Sequence, residues 1–135
     1  MASYTKFQPF VEALAEKVHN LGSDTLTVAL TNTAPNATDA TLSQISEISY
    51  TNCSARTITI TSSVQTSGTY KLVLTDLVLT ASGTVGPFRY VVIYNDTATN
   101  NELIAYFDHG SAVTLSSGDT YTLDFDATTG ILTIA

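Results

Sequence analysis

The chain has 135 residues, 44% hydrophobic and only 13% charged. That is the composition of one globular domain and not of a disordered, collagen-like or coiled-coil chain. A net charge of −7 leaves five scattered cations, Lys6, Lys17, Arg56, Lys71 and Arg89, and so no clustered positive surface for nucleic acid or an anionic membrane.

The first segment has helical periodicity. Phe7, Phe10, Val11, Leu14, Val18 and Leu21 fall on one stripe of a 3.6-residue helix, with Glu12, Glu16 and Lys17 off it. Pro9 suits a first turn and Gly22 a stop, so the pattern predicts a helix over about 8–21. The stripe can lie on the domain's own sheet or on a neighbouring subunit. The opening residues contain neither a long apolar core nor a basic start, and the expectation is a chain without signal peptide or membrane anchor, made in a cytoplasm.

Beyond Gly22 the period changes to two. Leu26, Val28 and Leu30 alternate with polar residues across 25–32 and predict a strand. A turn-rich loop surrounds Pro35, 40–48 is ambiguous between helix and strand, and 50–55 reads as loop. Strands are predicted at 57–65, 69–81, 88–95, 102–108, 112–115, 119–126 and 130–135, separated by short turns rich in Gly, Ser and Asn. Asp76 marks a bend in the long 69–81 segment, with Leu77 and Leu79 entering a second sheet. Short gaps favour antiparallel neighbours. The expected fold is mainly β: an antiparallel two-sheet β-sandwich of about eight strands, jelly-roll or Ig-like, with one N-terminal amphipathic α-helix. It is one domain over 1–135, with an arm and helix at 1–22 and a sandwich body at 23–135.

The polar face of these strands carries Thr and Ser more than Lys and Glu, as in Thr57-Ile58-Thr59-Ile60-Thr61. A hydroxyl desolvates more cheaply than a charge, so such a face tolerates close packing against a neighbour. Arrangements that would carry catalysis are weak. Asp108-His109 is adjacent on an extended chain, where the two side chains point apart. Asp124 and Asp126, with Asp119 upstream, lack a calcium-loop spacing and read as a solvated strand face. Cys53 is the lone cysteine, far in sequence from His19 and His109. No catalytic residue, cofactor or metal ligand is expected. The segment Gly86-Pro87-Phe88-Arg89-Tyr90-Val91-Val92-Ile93-Tyr94 lacks clean alternation, as in a strand covered on both faces or one packed on a partner chain. The N-terminal aromatics, Tyr4, Phe7 and Phe10, a segment that begins before the helix is fully formed, are a candidate docking element at a terminus free to reach a neighbour, and Phe10 is the one closest to the domain's own core.

Three stretches carry a family resemblance. They are Tyr4-Thr5-Lys6-Phe7 through Phe10-Val11-Glu12-Ala13-Leu14-Ala15 and on to Thr33-Ala34-Pro35; Gly86-Pro87-Phe88-Arg89-Tyr90 with Tyr94-Asn95-Asp96; and Ser117-Gly118-Asp119 to the Gly130-Ile131-Leu132-Thr133-Ile134 tail. Over nearly its full length the chain resembles small virion proteins of tailed bacteriophages, the head decoration or cement proteins. The resemblance implies a non-enzymatic structural protein on the outer capsid surface. Its partners would be the major capsid protein and copies of itself, with a trimer favoured, and not nucleic acid or membrane. The expected interface residues are Tyr4, Phe7, Phe10, Phe88, Arg89 and Tyr90. A tail or head-fibre component and a carbohydrate-binding adhesion module are the alternatives. The latter wants exposed aromatic platforms, and the chain has no Trp.

Overall fold

A computed structural model describes residues 3–135, so the first two residues of the expected arm lie outside the described residues. The elements run β1 (Ser3–Lys6), α1 (Gln8–Ala15), β2 (Leu26–Thr31), β3 (Thr57–Ile58), β4 (Ile60–Thr66), β5 (Thr69–Leu74), β6 (Leu77–Thr80), β7 (Val85–Asn95), β8 (Leu103–Leu115), β9 (Thr120–Leu123) and β10 (Leu132–Ile134). The fold is mainly β and sandwich-like, with antiparallel sheets and one short helix.

The largest sheet has the order β1-β8-β7-β2-β3, which makes β7 a central strand. Its register explains the unalternating apolar run. On one face Val28 and Leu30 stand opposite Ile93 and Val91, which in turn face Ala105 and Phe107. Phe107 meets Phe125 at 6.1 Å, and Leu72, Leu74, Leu79 and Leu123 of the smaller sheets join the same hydrophobic cluster. On the other face Ala29, Val92 and Tyr106 line up, and Phe7 covers Tyr106 at 5.2 Å. Both faces are covered by this chain, so Val92 and Tyr94 are core residues.

The remaining strands form two sheets and not one. β5 lies between β10 and β4, while β6 pairs with β9. The break between β5 and β6 falls at Thr75-Asp76, where the bend was expected. There the Asp76 carboxylate accepts a hydrogen bond from the Phe125 backbone N–H at 2.8 Å, tying the bend to the end of the chain. The predicted strand 57–65 likewise divides, Thr57–Ile58 pairing with β2 and Ile60–Thr66 with β5. The predicted strands 102–108 and 112–115 belong to one strand, β8: Gly110 stands at φ 99° where the turn was expected, and after a register shift the pairing with β7 resumes at Val113 opposite Phe88.

The helix is shorter than its apolar stripe. It ends at Ala15, where the Val18 N–H bonds to the Ala13 carbonyl and the Lys17 N–H to the Leu14 carbonyl, with Lys17 at φ 71°. This is a Schellman stop with lysine in the left-handed position glycine usually takes, so Gly22 is not the terminator. Of the stripe, Phe10 is buried, Val11 and Val18 are exposed, and Leu21 is buried beyond the helix. The arm before the helix is itself a strand: Ser3–Lys6 pairs with Asp108 to Ala105.

Candidate functional site

The structure divides the six candidate interface residues into two groups. Phe7, Phe10 and Phe88 are fully buried in their own chain. Pairing of β1 with β8 and a bond from the Phe7 N–H to the Ile104 carbonyl (3.1 Å) draw Phe7 into the core. Phe10 packs at a tilt against His19 at 5.1 Å, and Phe88 meets Tyr121 edge-on at 5.2 Å. The expectation that Phe7 and Phe10 form a free docking element is therefore corrected: they anchor the terminus internally. Phe88 is likewise a packing residue.

Tyr4, Arg89 and Tyr90 remain accessible. Tyr4 is 41% exposed and rests edge-on against Phe107 at 5.4 Å. Its ring and Lys6 line a hollow of about 610 Å³ with Asp124, Asp126 and Leu132. Arg89 forms a forked pair with Asp108, Nε to Oδ1 at 2.8 Å and Nη2 to Oδ2 at 3.0 Å, and lies 5.3 Å from the Tyr90 ring. The Arg89 guanidinium holds the Asp108 carboxyl below the usual carboxylate range, with help from the Gly110 N–H. Tyr90 is half-buried and meets Tyr106 at 6.3 Å. Arg89, Tyr90 and Tyr106 thus make an amphipathic patch of the composition favoured in protein interfaces.

The residues weighed for catalysis go to different partners. Asp108 is taken by Arg89, and His109 Nδ1 shares a 2.9 Å hydrogen bond with the Tyr121 hydroxyl. Asp126 closes its own turn, accepting from the Thr129 hydroxyl and from the Thr128 and Thr129 N–H groups. These bonds, the hydroxyl first, lower its pKa. Asp119 accepts from the Ser116 N–H across another turn. Among the described residues no three His, Cys, Asp or Glu side chains group as a metal site would require.

A cleft of about 1010 Å³ opens between the end of α1 and the three-stranded sheet, lined by Leu14, Val18, His19, Tyr70 and Ile134 among others. At its base is a buried polar network that the sequence did not signal. The Asn95 side-chain oxygen accepts from the Thr97 and Ala98 N–H groups, which fixes the amide orientation. Its nitrogen then donates to Asp24 Oδ2 at 2.7 Å and to His19 Nδ1 at 3.0 Å. The imidazole proton therefore sits on Nε2, which is buried without a partner. Burial lowers the His19 pKa against the opposing pull of Glu102 and Asp24.

No family model, curated protein or solved structure matches this chain. Among the described residues no helix is long and apolar enough to cross a membrane.

Proposed function

We propose that this chain is a non-enzymatic virion structural protein, a capsid decoration protein that binds the outer face of the head and stabilises it. In this reading the partners are the major capsid protein and further copies of the chain in a three-fold cluster, and the location is the capsid surface. The observation that carries the reading is the chemistry of the exposed strand positions. Among them are Thr61, Gln65 and Thr66 on β4, Ser111, Ala112 and Thr114 on β8, and Thr120 and Thr122 on β9, while Lys6 on β1 is the one exposed cation on the described strands. Such faces are cheap to desolvate over a large contact, whereas each buried charge would need its own partner. The Arg89–Tyr90 patch supplies the anchor type that interfaces favour.

The test is to add purified protein to heads prepared without it. Expected results are co-sedimentation with intact heads, density on the outer shell by electron cryomicroscopy, and heads that resist heat better once decorated. Virions lacking the protein that keep normal heads but lose tails or host attachment would overturn the reading in favour of a tail or adhesion role.

A further inference from the structure

We propose that the open edge of β4 is a self-recognition site at which two copies of this chain pair antiparallel about a two-fold axis at Val64. β4 is the outer strand of its sheet. Among the described residues, no backbone group of Ile60–Thr66 is hydrogen-bonded on the side away from β5. Such an edge templates pairing with another strand unless it is defended by a charge, a proline or a bulge. Residues 57–70 contain no charged residue and no proline. The register shift between Ile60 and Ser62 defends the first end, but Ser62–Thr66 run in unbroken register. The other edges differ: β1, β3, β6, β9 and β10 are two to four residues long, β1 carries Lys6, and the distal half of β8 faces a twice-shifted register on β7.

The occupant follows from charge and symmetry. Copies bearing −7 each repel, and this edge carries no charge of its own, the flanking one being Lys71 beside Val64 on β5. Centring the axis on Val64 places it opposite itself, Ser63 opposite Gln65 and Ser62 opposite Thr66. Val64 is 54% exposed and is the one apolar side chain within Ser62–Thr66. Shifting the axis by one residue either way sets Val64 opposite Ser62 or Thr66, so Val64 sets the register. The interface is isologous, as closed two-fold assemblies require. A strand pair of this length buries less than the ~800 Å² per partner of a stable complex, so the contact is weak in dilute solution and gains strength where copies are concentrated on a surface.

Sedimentation velocity up to ~1 mM protein should show the mass of the dilute species doubling with concentration. Val64→Lys should abolish the doubling while leaving the melting temperature unchanged. In a Cys53→Ser background, Val64→Cys should form a covalent pair under mild oxidation at least ~10-fold faster than a Val78→Cys control, since pairing raises the effective thiol concentration. Absence of doubling, doubling that survives Val64→Lys, or equal cross-linking at both positions would each overturn the proposal. So would a Val64→Lys protein that self-associates normally but no longer binds heads, which would assign the edge to an extended segment of another protein. The sedimentation and cross-linking measurements need no head particle, so self-pairing stands or falls on them separately from the decoration reading.

Discussion

Two buried polar residues make opposite demands on stability. Thr27 Oγ1 is buried in β2 with no hydrogen-bond partner. Such a hydroxyl bears a desolvation cost with no return, so Thr27→Val, which keeps the shape, should raise stability by about 1 kcal/mol, read as a higher urea midpoint at unchanged slope. His19 is held neutral. Protonating Nδ1 would set a donor against the Asn95 amide nitrogen, which cannot turn over without releasing the Thr97 and Ala98 N–H groups. With the folded pKa below the unfolded ~6.5, the unfolded chain binds the proton first, so stability increases with pH in this range. The contribution is complete above the unfolded value and is lost as pH falls through the folded one. The melting temperature should therefore fall on acidification from about pH 7.5 to about 5.5, and His19→Gln should flatten that fall. Asp108 and Asp126, whose pKa values are lowered, act only at more acid pH and do not confuse the window. Asp76 was legible in sequence as a bend because a carboxylate interrupting an apolar strand has a local cause. The His19–Asn95–Asp24 network was not, because it joins residues up to 76 positions apart.

At the scale of elements, period and turn chemistry made β2, the central strand β7 and the β5–β6 bend readable from sequence. Failures came where a tertiary contact overrode a local signal. The apolar stripe continues past Ala15 although the helix does not, because Leu21 is buried by its loop and Lys17 adopts the left-handed cap. β1 is four residues long with no periodicity of its own, and its partner lies about a hundred residues away. That pairing changes the meaning of Phe7. As a free docking residue it could be truncated without loss of stability. As a core residue against Tyr106 its replacement leaves a cavity. Phe7→Ala should cost about 3–5 kcal/mol and release the β1 edge, visible as faster amide exchange at Thr5 and Tyr106. A variant that melts like the wild type but fails to bind heads would restore the docking role.

For the whole molecule, charge and surface composition pull against each other. Twelve acids against five cations give every copy the same sign, while the exposed hydroxyl faces and the Arg89–Tyr90 patch offer area for contact. Arg89 is the only cation in a salt bridge among the described residues, and its partner Asp108 is in the same chain. In the self-pairing proposed above, contacts between copies rest on desolvation and hydrogen bonding, and the net field opposes them. At about 0.01 M salt the repulsion reaches ~30 Å, and at about 1 M it is confined to ~3 Å. Self-association should therefore strengthen as sodium chloride rises across that range, the reverse of an interface built on ion pairs. Sedimentation at fixed protein concentration across a salt series decides between the two. Association that weakens with salt would mean that Arg89 or a lysine reaches a carboxylate of a neighbouring copy, and the hydroxyl-faced contact would have to be abandoned.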